Sequence, residues 1–271
     1  GRPFVILDAA SRVGDSWRRQ WDTLALYSPA QYDSLPGLPF PARRWTFPGK
    51  DAVADYLETY AEHFDLPVAL QTRVQRLQRT GDRYVATTDR GRYRCHNVVV
   101  ATGTFGRTPH VPAVADRLDP AILQLHSSQY RRPGQLNDGP VLVVGASHSG
   151  TDIAHEVAAS HPTILAGRDC GQIAPRLESP AMHVLFPVLL FAWHHVLTRR
   201  TPMGRRMMPH VRFHGGVGLR VKRSDLAARD VERVTSPVEE VRDGLPVVDG
   251  TPREVTNVVW ATGFRQRFDW V

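Results

Sequence analysis

The sequence has only two cysteines, Cys95 and Cys170, and no Cys-x-x-Cys. That excludes a redox-active disulfide of the usual spacing and a Cys-rich zinc site; no metal is expected. Lysine is equally scarce. Lys50 and Lys222 are the only two, and arginine supplies the rest of the 34 basic residues. Against 27 acidic residues the net charge is +7. An anionic partner would explain that excess, but a solvated arginine surface explains it more simply, with part of the charge facing cofactor phosphates. No dense basic block is interleaved with aromatics, so no nucleic-acid partner is expected. Neither a signal peptide nor a Met opens the chain. It begins at Gly1 in the approach to a strand, and we expect a fragment. The two widely spaced cysteines point to a reduced, cytoplasmic setting.

Long apolar runs are also few. Ser179–Thr198 carries no formal charge and includes the very apolar Val184–Val196. A membrane span needs about 20 apolar residues. This run is interrupted by Pro187, His194 and His195 and closed by Arg199 and Arg200. A core or substrate-channel helix is the first reading, a weak membrane contact through 184–197 the second, and a true span the third.

What is present is ordinary globular composition, 42% hydrophobic and 23% charged over 271 residues. That is enough for one large domain or two smaller ones. The most informative stretch is Pro140–Ile153. Val141–Val144 reads as a buried parallel strand. Gly145, Ser147 and Gly150 follow at the spacing G-x-S-x-x-G. From Ser149 the pattern turns helical, with Ile153, Ala154, Val157 and Ala158 on one face. A Gly-rich turn between a strand and a helix N-terminus is where pyrophosphate binds, because first-turn N–H groups lack acceptors and the dipole favours an anion. Gly145, Ser147, His148, Ser149 and Gly150 are therefore candidate cofactor ligands. Ser147 stands where the strict fingerprint has its second Gly. The next strand, Pro162–Gly167, is followed by Arg168, 23 residues after Gly145. A guanidinium at that strand end would favour a 2′-phosphate, hence NADPH over NADH. Asp169 beside it would favour the opposite.

Earlier in the chain, Phe4–Leu7 reads as a buried strand ending in Asp8, the place of a ribose-binding carboxylate. Residues 27–49 form a Pro- and aromatic-rich loop. Lys50–Phe64 is helical, with Val53, Tyr56, Leu57 and Tyr60 on one face. Residues 68–97 and 231–248 give short strands, with turns at Gly81-Asp82, Arg90-Gly91 and Asp243-Gly244. Asn97–Phe105 (NVVVATGTF) has a near copy in Asn257–Arg265 (NVVWATGFR). Each copy reads as a strand ending in Ala-Thr-Gly, where the chain turns sharply against a ligand. Residues 107–135, with four prolines, read as a linker.

These residues together resemble the flavin-containing monooxygenases, the two-dinucleotide-domain class that includes Baeyer–Villiger and N-hydroxylating enzymes. Gly14-Asp15-Ser16-Trp17 is similar to the family's G-G-x-W flavin segment, and Leu26–Pro41 to the loop after it. Ala101-Thr102-Gly103 with Pro109 and Pro112 matches the A-T-G crossing between domains. Gly145–Gly150 matches the NADPH fingerprint, and Val259–Phe264 the later A-T-G segment. The resemblance implies an α/β fold of two Rossmann-like dinucleotide-binding domains, the NADPH domain inserted into an incomplete FAD domain. The boundaries expected are 1–135 for FAD, with its first Gly-rich unit missing, 136–255 for NADPH, and 256–271 returning to FAD. It implies FAD and NADPH as cofactors, with Asp8, Ser16, Trp17, Val74, Ala101, Thr102, Gly103, Thr262 and Gly263 among their ligands. The implied reaction passes hydride from NADPH to FAD. A flavin hydroperoxide then oxygenates a small organic molecule at nitrogen, sulfur or carbonyl. The family's F-x-G-x-x-x-H-x-x-x-[WFY] signature ends here at His126 and Tyr130, but Pro120 and Ile122 replace its Phe and Gly. His126 is therefore read as structural, and no catalytic side chain is nominated. Tyr130-Arg131 argues mildly against ketone insertion. The alternatives are an FAD-dependent NAD(P)H oxidoreductase without oxygen insertion, or a non-catalytic nucleotide-binding fragment. Scarce cysteine counts against disulfide reduction.

Overall fold

The computed structural model describes residues 3–103, 107–214 and 216–271. The chain divides into two compact units, Gly1–His110 with Phe264–Val271, and Val111–Gly263.

In the first unit, β1 (Ile6–Leu7) leads to a short helix, α1 (Asp15–Arg18). Gly14 enters α1 at φ +84°, and a Cβ there would lie 2.6 Å from the Ala54 carbonyl oxygen. Only glycine permits both that dihedral and that approach. Ala54 belongs to α2 (Lys50–His63). Its Val53 and Tyr56 are buried with Ala30 and Phe40, and Trp17, Leu57 and Tyr60 pack around them. The Tyr56 hydroxyl accepts the Leu35 N–H at 2.6 Å and donates to the Leu38 carbonyl at 2.7 Å. One phenol thus fixes the Pro-rich loop to the helix. Then come β2 (Val68–Ala69), parallel to β1, and the antiparallel meander β3 (Val74–Thr80), β4 (Arg83–Thr88) and β5 (Gly91–Cys95). Gly81 and Gly91 take positive φ at the expected turns.

Two strand readings need correction here. Phe4–Leu7 is not buried, because β1 pairs with β2 alone among the described residues and Phe4, Val5 and Ile6 are exposed. Residues 97–103 are not a strand either; Val99 is 87% exposed. Thr104 and Phe105, which end that copy, lie outside the described residues. The unit closes with β6 (Arg107–Pro109), which meets the returning chain further on.

The second unit is built on a parallel sheet. Its strands are β7 (Leu123–His126), β8 (Val141–Val144), β9 (Thr163–Ala166), β10 (Glu232–Val234) and, after the antiparallel trio β11 (Val238–Arg242), β12 (Leu245–Val248) and β13 (Thr251–Pro252), β14 (Asn257–Trp260). The order is β10-β9-β8-β14-β7, every neighbour parallel. Between β8 and β9 runs α3 (His148–Val157), burying Ile153, Ala154 and Val157. Val141–Val144 and Val258–Trp260 are buried throughout, as central strands covered on both faces require. Asn257 is fully buried yet satisfied: it accepts the Asn137 N–H and donates to the Asn137 carbonyl, both at 2.8 Å. The segment read as a linker contributes β7, one of the sheet's two edge strands. Hence 111–135 and 256–263 pack in this unit rather than with the first.

After β9 come α4 (Pro180–Phe191), a π-helical turn (Ala192–Val196), α5 (Pro202–His214) and α6 (Arg223–Ala227). Only Met182 of α4 is buried. The core-helix reading of 179–198 therefore fails. No helix among the described residues is long and apolar enough to cross a membrane. The chain leaves the second unit into β15 (Phe264–Gln266), antiparallel to β6.

Candidate functional site

The sheet order reverses at β8, with β9 on one side and β14, much later in sequence, on the other. In open parallel sheets ligands bind in the crevice at such a switch point, beyond the strands' C-terminal ends. Three strand ends converge there. Gly145 follows β8 at φ +109°, where a Cβ would lie 2.4 Å from the Ala261 carbonyl oxygen. Gly150, in the first turn of α3, leaves no room at all: its Cβ would stand 1.7 Å from the Gly145 carbonyl oxygen. Gly167 ends β9 at φ +124°, with a hypothetical Cβ 3.3 Å from the Gly145 Cα. The three glycines let β8, α3, β9 and the Ala261 turn close together, leaving bare backbone where a pyrophosphate would approach.

Ser147 precedes α3 in an extended conformation but makes no side-chain cap on it. Its hydroxyl instead accepts the Gly216 N–H and donates to the Gly216 carbonyl, both at 3.1 Å. The first-turn N–H groups of α3 have no intrahelical acceptor. An anion is the natural occupant there. The segment from Gly216 is tied down in turn: the Gly218 N–H donates to the Gly171 carbonyl at 2.8 Å. Lys222 is buried, its ammonium donating to the carbonyls of Ile173 and Leu219, both at 2.9 Å. Neither Gly216 nor Lys222 carried a local sequence signal.

At the β9 end, Arg168 and Asp169 are both exposed. The Gly171 N–H, at 2.8 Å, and the Arg223 guanidinium hold the Asp169 carboxyl below the usual carboxylate range. Arg233 donates to the carbonyls of Leu165, Gly167 and Val234 and so fixes that strand end. Its own pKa is lowered, chiefly by burial, with Asp169 opposing.

His126 ends β7 and is buried. Its Nδ1 accepts the Ser128 N–H at 3.2 Å, so Nε2 carries the hydrogen and donates to the Gly263 carbonyl at 2.9 Å. It braces the turn holding Thr262 and Gly263, in keeping with its structural reading. Tyr130, fully buried, donates to Glu156 of α3 at 3.2 Å. Thr262 and Gly263 follow β14, which pairs with β8, and β8 leads through Gly145 into His148, Ser149 and Gly150 of α3.

The remaining candidates lie in the first unit. Asp8 turns back locally, its Oδ1 accepting the Ala10 N–H at 2.9 Å. Its loop runs beside Gln71 and Thr72, just before half-buried Val74. Ser16 is exposed and Trp17 half-buried. Ala101, Thr102 and Gly103 are exposed. The Asp8 loop is hydrogen-bonded to Gln71 and Thr72, two residues before Val74.

The pyridine nucleotide-disulphide oxidoreductase family matches residues 2–180. The chain belongs to this family. It is an enzyme of the oxidoreductase type, and FAD and NADPH are the cofactors of this family and of flavin monooxygenases. The uncharacterised oxidoreductase CzcO-like of Geobacillus kaustophilus is 31% identical over 277 residues, covering 99% of this chain and 75% of that protein. The probable indole-3-pyruvate monooxygenase YUCCA9 of Arabidopsis thaliana is 26% identical, covering 98% of this chain and 70% of that protein. Among solved structures, a two-residue variant of the flavin monooxygenase from Stenotrophomonas maltophilia superposes with a TM-score of 0.73 at 28% identity. It covers all of this chain and 73% of its own. The resemblance to flavin-containing monooxygenases and the α/β Rossmann-type fold are therefore both upheld. Neither cysteine is in a disulfide: Cys95 lies in the first unit and Cys170 in the second.

Proposed function

We propose that this protein is an FAD- and NADPH-dependent monooxygenase that oxygenates a small organic molecule at nitrogen, sulfur or carbonyl, with molecular oxygen as co-substrate. The observation that carries the reading is the convergence of Gly145, Gly150, Gly167 and the Ala261–Gly263 turn at the sheet's switch point. A Cβ at Gly145 or Gly150 would meet backbone, so these glycines let the turn pack closely and set the α3 N-terminus, whose first-turn N–H groups suit a pyrophosphate, at the strand end. When bound, the nicotinamide and flavin supply the hydride and oxygen chemistry.

The chain's own residues bind and orient. The backbone of Ser147–Gly150 receives the pyrophosphate at the α3 N-terminus. Arg168 offers a guanidinium to the 2′-phosphate. Arg223 pairs with Asp169 and so offsets the negative charge that would repel that phosphate. His126 holds the Thr262–Gly263 turn in place. In the first unit, Asp8, Ser16, Trp17, Val74 and Ala101–Gly103 are assigned to the flavin. No side chain is assigned a proton transfer; the protein's share is orientation and exclusion of water.

The test is incorporation of labelled oxygen. Supplied with NADPH, FAD, labelled dioxygen and a sulfide or tertiary amine, the enzyme should deliver one labelled atom to the product. NADPH oxidation yielding only peroxide with every amine, sulfide and ketone tried would favour an oxidoreductase without oxygen insertion.

A further inference from the structure

We propose that the segment of α4, the π-helical turn and α5 is a peripheral docking surface for a lipid bilayer bearing anionic headgroups. Many of its apolar side chains are exposed. Val184 is 74% exposed, Phe191 62% and Trp193 59%, and Val188, Met203 and Met207 are exposed as well. Val184, Val188 and Phe191 recur at i, i+4 and i+7, so they share one helix face. An exposed contiguous apolar surface marks an interaction site. Aromatic residues of this kind are favoured at the membrane–water boundary.

Charge selects the partner. From Ser179 to Ser224 the sequence has eight arginines and lysines and no Asp or Glu. The rest of the chain therefore holds 26 basic residues against 27 acidic, so this segment carries the whole positive excess. Arg199, Arg200, Arg205 and Arg206 are all exposed beside the apolar residues in sequence. Two copies meeting through this face would bring like charges together. An anionic bilayer neutralises them while taking up the apolar side chains. The segment lies on the bilayer surface and does not cross it: α4 and the π-helical turn together run only from Pro180 to Val196, with Pro187 inside α4. It is rooted beside the nucleotide site, where Arg176 pairs with Asp225 at 2.5 Å and Ser147 holds Gly216.

The experiment is flotation of the 271-residue chain with phosphatidylcholine vesicles, with and without phosphatidylglycerol. The protein should float with the anionic vesicles only, and binding should fall about tenfold or more between about 0.05 M and about 0.5 M salt. Phe191→Asp with Trp193→Asp, and separately Arg199→Glu with Arg200→Glu, should each remove flotation while leaving NADP⁺ affinity unchanged. As a second readout that keeps the surface apolar, brominated lipid should quench wild-type tryptophan fluorescence, and Trp193→Phe should lose that quenching. Absence of flotation with anionic vesicles, or equal flotation with both compositions, overturns the proposal. So does a wild-type dimer that Phe191→Asp turns to monomer, which would give the face to a second copy. None of these outcomes bears on labelled-oxygen incorporation.

Discussion

Arg168 stands two residues past β9, beside a carboxylate already taken by Arg223 and the Gly171 N–H. A charge-assisted hydrogen bond contributes about 1.5–3 kcal/mol, roughly ten- to a hundredfold in affinity. Arg168→Ala should therefore raise the NADPH dissociation constant about tenfold or more and leave that for NADH nearly unchanged. Isothermal titration of both cofactors checks this; equal loss for both would remove Arg168 from the 2′-phosphate. His126 acts one step back, through the Gly263 carbonyl. His126→Ala should weaken NADP⁺ binding about tenfold and cost about 1–3 kcal/mol of stability by stranding that carbonyl. Tyr130→Phe, which loses the 3.2 Å bond to Glu156, should leave the NADP⁺ constant as it is. Equal cofactor effects from the two variants would mean that neither braces the turn. At this scale the glycines were legible because their spacing is local. Gly216 was not, since its partner Ser147 lies 69 residues away and any residue's backbone could make the same bond.

Helices α3 and α4 show what a pattern can and cannot say about an element. Both read as apolar helices, and both are helical. The periodic stripe of α3 meets β8 and β9 and is buried, whereas α4 is apolar nearly all round and mostly exposed. Apolarity on every face predicts burial, but burial needs a partner that the sequence of one element does not reveal. The difference is measurable. Ile153→Ala, at a fully buried position, should cost about 2–5 kcal/mol in urea unfolding, and Val188→Ala within about 0.5 kcal/mol. A large cost at Val188 would show that α4 is packed after all. The two Asn-Val-Val copies teach the same lesson. Asn257–Trp260 is a strand because β7 and β8 flank it, while 97–103 has no strand partner among the described residues. The edge strand β7 was missed because Leu-Gln-Leu-His, four residues among prolines, offers too short a run to register.

At the scale of the molecule the chain is two compact units, spanning about three quarters of the CzcO-like relative it matches. The fold class was legible because the strand–loop–helix unit and the two Ala-Thr-Gly segments are each local. The unit boundary was not, because it depends on which strands pair over long separations, β7 with β14 above all. The central claim is that the dinucleotide lies at the switch point of the 111–263 unit, on the C-terminal edge of its sheet. Hydrogen exchange of the 271-residue chain, with and without saturating NADP⁺, tests it most directly. NADP⁺ should protect backbone amides at 145–151, 167–171 and 261–263 and leave those at 27–49 unchanged. Saturable binding with no added protection at 145–151, or with protection confined to residues 8–17, would contradict the account.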